Sequence, residues 1–521
     1  MKKKIYQWHR SLSIIIALPV LAWALSGIMH PVMTNIRPRI ATQGITAMPV
    51  DSSAIRVSLE QALAQNGVDS FHAFRLVHID TSWFYQVQQR YNAEPVYIST
   101  RTGKLLKRGD WLYAQYLARQ FLEGSRQKQA QQTAAPVHDC CDAAALCVLA
   151  DTTGSQVTTA VRLTQFDNEY KSINRLLPVY KVSFDRPDGI RVYVETMQDR
   201  FAFAMDNRRA LLDTLFRLVH TWGWLDFLGK GKYLIEFLLA ALAFITALMG
   251  LYIFFTTRSK AAPGNGMVKA RRRHRFTAIA AALFTLFFTF SGAYHALYKL
   301  KEDTRDRFYT TARFAVKDIQ FRLPQLLAAA QQPVRNIGLV SVNGQPYWQV
   351  CLLPKASEQG RAAPQDLMKS MQATAPPVLY IAMDNRHFLP GGEAVYAQYL
   401  ATLFSGQPAA RITATTLQTR FDDAYNFTDK RLPVWKISYP GNEHWYVETA
   451  TGKLAARVNN SELAEGYSFA LLHKHEFMAW GGKALKDAST LFWASAQVVM
   501  VLFGLIFYFK WRKKRNKYKP V

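Results

Sequence analysis

The sequence predicts a membrane α+β protein, with four transmembrane helices and two α+β regions arising from an internal duplication. Three observations lead there. Four stretches without a charged side chain, about 11–29, 237–257, 276–294 and 488–509, can cross a hydrocarbon core ~30 Å thick. The second half of the 521-residue chain rewrites the first. The net charge of +27 is gathered into short blocks beside the apolar stretches.

The first span, "HRSLSIIIALPVLAWALSGIMH", has His9 and His30 at its ends, 21 residues apart. At ~1.5 Å rise per residue that is about 31 Å, so the two imidazoles mark the two faces of one bilayer. A secretory signal would also follow Lys2–Lys4. However, the span shows no clear small-x-small cleavage site, and its twin sits in mid-chain, so a retained helix is expected. That twin is "HRFTAIAAALFTLFFTFSGAYH". It repeats the His-Arg opening, the Ser-Gly near the end and the 21-residue spacing, from His274 to His295.

The expected organisation follows in order. Residues 1–31 form a cytoplasmic N-terminus and first helix, 32–232 a first periplasmic region and 233–257 a second helix. A basic loop at 258–275 leads to a third helix at 276–298. A second periplasmic region at 299–487, a fourth helix at 488–510 and a basic tail at 511–521 complete the chain. Orientation comes from charge. Lys2, Lys3, Lys4 and Arg10 precede the first span, and seven lysines and arginines fill 257–275. Seven more follow from Lys510, and none of these blocks holds an acid. This is the positive-inside pattern of a multi-pass inner-membrane protein with both termini cytoplasmic, and it argues against nucleic acid as the partner.

The external regions repeat as well. "YAQYLARQF" at 113 recurs as "YAQYLATLF" at 396, and "FDNEY", "RLLPVYKVSF" and "VYVET" recur as "FDDAY", "RLPVWKISY" and "WYVET". "WFYQVQQ" at 83, "PVYIST" at 95, "VYKVSF" at 179 and "IRVYVET" at 190 alternate like half-buried strands. "TRTGKLL" at 100 and "ETATGKLAAR" at 448 read as hairpin turns, with glycine supplying positive φ. "LEQALAQ" at 59 and "LPQLLAAAQQ" at 323 read as helices lying on such sheets. An insert at 122–160 breaks the symmetry and holds His138, Cys140, Cys141 and Cys147. In an oxidising compartment it is expected to form disulfides, with Cys351 joining the set; the sharper reading is a soft-metal or redox site.

Ionisable side chains at matched depths in a membrane point to function. His9 and His274 fall at the cytoplasmic rim, and His30 and His295 at the outer rim. His220 and His473 each follow the glutamate of a VET motif by 25 residues and precede spans two and four, again at the outer rim. Opposed neutral imidazoles suit bis-histidine haem ligation; the bland alternative is snorkelling of rim side chains to water. Ser26-Gly27 and Ser291-Gly292 share the face of the outer histidines, where small side chains would let a macrocycle approach. His72, His78, His387, His444 and His475 read as surface or core residues.

Together these motifs resemble the PepSY-associated transmembrane family of iron-regulated membrane proteins, which includes haem-containing ferric-siderophore reductases. The resemblance rests on "HR" and "SGxxH" bounding spans one and three, the "FDxxY…RLPVxK…YVET" modules, and the Leu-x-His or Leu-His element before spans two and four. It implies helix, PepSY module, helix, twice over, and one to three b-type haems. The ligand candidates it implies are His9, His30, His220, His274, His295 and His473, with electrons passed outward to periplasmic ferric iron or a ferric siderophore. "LLHKHEF" lacks the glycine of "LVHTWG", a looser match. With no GxGxxG or P-loop in the sequence, the donor is expected to be a cytoplasmic partner or a membrane quinol. The other functional classes are a non-enzymatic copper or iron carrier and a regulatory PepSY protein.

Overall fold

The computed structural model describes residues 2–124, 155–258, 264–301, 303–353 and 375–517. His138, Cys140, Cys141 and Cys147 lie outside them. In chain order the helices are α1 (Lys2–Asn35), α2 (Leu59–Gln65), α3 (Gly109–Glu123), α4 (Asn207–Val219) and α5 (Gly231–Thr256). They continue as α6 (Gly266–Tyr298), α7 (Leu323–Ala330), α8 (Gly392–Ser405), α9 (Asn460–Tyr467) and α10 (Gly482–Lys517). The chain divides into two compact units. Met1–Arg37, Arg208–Asp303 and Ser461–Val521 form one; Pro38–Asn207 and Thr304–Asn460 form the other.

The first unit is helical. Helices α1, α5, α6 and α10 are long and apolar enough to cross a membrane. Each packs on the next, and α10 closes on α1, giving a four-helix bundle. Many of the buried positions are small, among them Ala24 and Ser26 on α1, Ala240 and Ala243 on α5, Ala281 and Ser291 on α6 and Ala494 on α10, with Ile16 and Val20 packed beside Ala243. Small residues let apolar helices approach where no water drives them together. Leu18, Phe255 and Phe276 are each 75% exposed, which suits a lipid-facing surface. Buried threonines of the bundle bond within their own helices, whereas Gln497 Nε2 on α10 has no partner. Thr246 donates to the Leu242 carbonyl at 2.7 Å and Thr285 to the Ala281 carbonyl at 2.9 Å. Asn265 caps α6 by accepting from the Met267 and Val268 amides.

The second unit is built from antiparallel sheets. Ala73–Ile79, Ser82–Gln88, Val96–Ser99 and Leu105–Leu106 make one, and Val157–Leu163, Val179–Phe184, Arg191–Glu195 and Arg200–Met205 another. In the other half, Val334–Val342, Gln345–Leu352 and Val378–Ala382 pair, as do Ala414–Gln418, Val434–Tyr439, Glu443–Glu448 and Lys453–Val458. Helix α3 shares a core with the first two sheets through Tyr113, Leu117 and Phe121; α8 does the same for the last two through Tyr396, Leu400 and Phe404. A third core joins the halves around Phe74, Tyr85, Phe321 and Trp348. The glycines that start α3 and α8 are required by close packing, since a Cβ at Gly109 or Gly392 would lie 2.6 Å from the Cβ of Tyr97 or Tyr380.

Contacts recur at matched positions. Gln86 donates to the Tyr97 hydroxyl at 2.5 Å and the Thr196 carbonyl at 3.2 Å; Gln349 donates to Tyr380 at 2.8 Å and the Thr449 carbonyl at 3.2 Å. The two VET glutamates share arginines. Arg200 reaches Glu195 at 2.8 Å and Glu448 at 2.5 Å, and Arg431 reaches Glu448 at 2.7 Å. Burial alone would raise the Glu448 carboxyl, but Arg200 and Arg431 outweigh it and hold it well below the usual carboxylate range. Cys351, near the end of the central strand of the third sheet, is a free thiol, so it does not join the disulfide set the sequence suggested.

Candidate functional site

Two segments outside the long helices carry histidines into the bundle, at the end where α1 and α6 finish. Helix α4 delivers His220, whose amide donates to the Phe216 carbonyl at 2.7 Å. Helix α9 runs into a π-helical turn, Ser468–His473, closed by the Lys474 amide on the Phe469 carbonyl at 3.1 Å. Such turns are rare and concentrate at functional sites. The rings of His220 and His473 come to 6.1 Å between centroids, inclined at 77°. Each also stacks on a phenylalanine that in turn meets the histidine of α1 or α6. Phe216 lies 4.4 Å from His220 and 5.9 Å from His30; Phe469 lies 4.8 Å from His473 and 4.4 Å from His295. His220 and His473 are each within electrostatic reach of both His30 and His295, and His473 of His220.

The hydrogen-bond partners bear on which nitrogen carries the proton: a carbonyl or carboxylate requires Nδ1–H, whereas a serine hydroxyl serves either tautomer. Ser26 has one hydroxyl proton, spent on the Ala22 and Trp23 carbonyls at 2.7 and 3.0 Å. With the proton so placed, its oxygen accepts from His220 Nδ1–H, at 2.9 Å. Ser291 likewise donates to the Phe288 carbonyl and accepts from His473 Nδ1–H at 3.1 Å. His295 Nδ1–H donates to Glu465. Where Nδ1 carries the proton, Nε2 keeps a bare lone pair, the tautomer a metal-ligating imidazole needs.

The other end repeats the logic with different means. His9 Nδ1 pairs with the Ser13 hydroxyl at 3.2 Å, and that hydroxyl also donates to the His9 carbonyl at 2.6 Å. His274 Nδ1–H donates to the Met500 carbonyl at 3.3 Å. Both rings lie on glycines of a neighbouring helix. A Cβ at Gly250 of α5 would sit 2.9 Å from His9 Nε2, and one at Gly504 of α10 would sit 3.1 Å from His274 Cε1. His9 and His274 are within electrostatic reach of each other. The six candidate histidines therefore fall into a group of four and a pair.

Helical spacing would turn His475 away from His473, but the chain leaves the helix there: His475 has φ 54° and is fully buried. Its Nδ1 pairs with Ser489 at 3.0 Å, Phe284 and Phe288 lie 5.1 Å from its ring, and Nε2 has no partner. Of the others, His72 donates to the Ala312 carbonyl, His78 packs on Trp83, His387 pairs with Asp384, and His444 sits between Ser438 and Asn442. The second unit has a narrow cleft of ≈ 90 Å³ between its halves, lined by His72, Tyr91, Arg162, Glu195 and Lys453 among others, and none of the six candidate histidines lines it. Among the described residues, no group of three or more His, Cys, Asp or Glu could hold a free metal ion. What the bundle does offer is imidazoles brought together from different helices, with His220 and His473 facing each other at 6.1 Å. Compared with protein-family models and with curated proteins, the chain matches none.

Proposed function

We propose that this protein is a haem-containing electron carrier of the inner membrane that passes electrons outward to periplasmic ferric iron or a ferric siderophore. One observation carries the reading. Five of the six rim imidazoles, His9, His220, His274, His295 and His473, have Nδ1 hydrogen-bonded within the protein, and the carbonyl and carboxylate partners of His274 and His295 accept only from Nδ1–H, which leaves Nε2 as the free ligand atom. Metal-bound histidines are nearly always held this way, and the hydrogen bond both orients the ring and strengthens it as a ligand. The spacing agrees. An imidazole nitrogen lies about 2 Å from a transition metal, so two rings on one iron have centroids roughly 6 Å apart; His220 and His473 stand at 6.1 Å.

In this reading His9 and His274 hold one b-type haem near the cytoplasm, and the four-imidazole group holds one or two near the outer face. Haem supplies one-electron exchange between ferric and ferrous iron. The chain positions it: serines, a carbonyl and Glu465 set the tautomers, the phenylalanines fix the ring planes, and the apolar bundle excludes water. The basic blocks place both termini and the 257–275 loop inside, with the two sheet regions periplasmic. The matched motifs and contacts support a duplicated helix–PepSY-like module–helix origin.

Purified protein expressed with ample haem should show a low-spin Soret and α-band pattern on reduction. A colourless protein, negative by pyridine haemochrome, refutes the proposal. Direction is tested separately. His9→Ala should block reduction of an external ferric acceptor by membrane donors while the outer haem stays reducible by dithionite. Reporters after Lys260 and Lys519 should read inside, and one after Thr133 outside.

A further inference from the structure

The two halves of the four-imidazole group are not equivalent in charge. Aligned on the outer histidines, Thr34 of the first half stands where the second has Lys299, and Thr221 stands where it has Lys474. Leu212 corresponds to Glu465, and Trp222 to His475. The first-half side is aromatic: Trp222 stacks on Trp23 at 5.2 Å and lies 5.9 Å from Trp224. The second-half side is polar, with Lys299, Lys474, Glu465 and the unpartnered Nε2 of His475.

Haem is itself an amphiphile, with two carboxylates on one edge and hydrocarbon substituents around the rest. Carboxylates buried beside an apolar bundle need cations. Four cations lie within electrostatic reach of these imidazoles: Arg209, Lys483, Lys299 and Lys474. Arg209 is spent on the Met33 and Ile36 carbonyls, and Lys483 on Asp487 and Asn35. Among the described residues Lys299 and Lys474 form no ion pair. The Lys299 ammonium lies over the Tyr233 ring at 5.6 Å, and that of Lys474 over Phe469 at 5.1 Å, the ring stacked on both His295 and His473. Glu236 and Glu465 are the acids nearest in charge to Lys299, and Glu465 already accepts from His295.

We infer that Lys299 and Lys474 receive the two carboxylates of the haem at this end, turning its polar edge to the second half and its hydrocarbon edge to Trp23 and Trp222. The inference rests on the haem reading above. It makes the lysines positioning residues that also select the cofactor's charged edge.

The test compares haem b with haem dimethyl ester, which lacks the negative charges. Each is loaded into the full chain, and its release to excess apomyoglobin is followed in the Soret band, in the kinetic phase that His473→Ala abolishes. A charge-assisted hydrogen bond is worth about a tenfold change, so two should separate the pigments by up to about a hundredfold. Wild type should release the ester faster by that order, and Lys299→Met/Lys474→Met should release both at the ester's rate. Arg at both positions should restore the preference. Equal release of the two pigments from wild type overturns the inference, as does a preference that survives in the double Met variant. Faster release of both pigments by one factor also overturns it, because the lysines would then support only the fold. Wild type that takes up neither pigment refutes the haem reading itself.

Discussion

Ser291→Ala removes the oxygen that accepts His473 Nδ1–H at 3.1 Å and leaves the ring carbon framework in place. Ser291 is 1% exposed, so water cannot substitute for the hydroxyl. A buried donor stranded in this way costs about 1–3 kcal/mol, or roughly ten- to a hundredfold in retention of whatever the ring holds. Loss of a partner hydrogen-bonded to a metal-bound histidine costs the same ~10–100-fold, so two independent routes agree. Ser26→Ala should act alike through His220, where the contact is 2.9 Å. If both serines serve one iron, the double variant should be non-additive, because the first loss already loosens the site the second would weaken. Haem release to apomyoglobin measures the effect, and low-temperature EPR reports any change in ring orientation. Thr285→Ala is the control, since that hydroxyl reaches only the Ala281 carbonyl of its own helix. Serine variants that hold haem as firmly as wild type, while His473→Ala loses it, would refute the claim that these hydroxyls set the tautomer.

At the other end, Gly250→Ala or Gly504→Ala would bring a methyl to 2.9 Å from His9 Nε2 or 3.1 Å from His274 Cε1. Either should abolish one step of a potentiometric titration and leave the outer centre intact. In the insert, replacing Cys140, Cys141 and Cys147 with Ser should leave the haem spectrum unchanged in a variant that still folds. In the second unit, the Glu448 carboxyl is held below its unfolded value, so its stabilisation is complete above about pH 4.5 and is lost as pH falls toward the folded value. Melting temperature should drop on that acid limb. Glu448→Gln should start lower at pH 7, where it strands two arginines, yet show a shallower acid slope.

The depths of the histidines were legible because one spacing is repeated, and the strands because their apolar residues alternate. The partners of those elements were not. Phe74 and Trp348 meet in one core although 274 positions separate them. Ser26 and Ser291 could be read as small residues on a histidine face, but their role is to accept from imidazoles 194 and 182 residues away, which no local pattern encodes. His475 is a core residue, as read, but for a backbone reason the sequence did not show. Helical spacing separates it from His473, whereas the chain turns into the left-handed region at residue 475 and buries the ring against Phe284 and Phe288. Helices α4 and α9 escaped notice because they bury none of their own residues.

The acceptors also differ in what they require of the fold. Ser13 is four residues from His9 on one helix, so that contact is set as soon as α1 is helical. His274 needs the Met500 carbonyl of α10, His220 needs α1, and His473 and His295 need α6 and α9 brought together. Four of the five Nδ1 contacts are therefore products of tertiary packing. An isolated span carrying the same "HR…SGxxH" motif has the right residues at the right depths but lacks the partner that orients its outer imidazole. A peptide of residues 2–35 in detergent should bind haem far more weakly than the full chain and without the bis-histidine spectrum. If it binds equally well, the cross-helix acceptors do not organise the site.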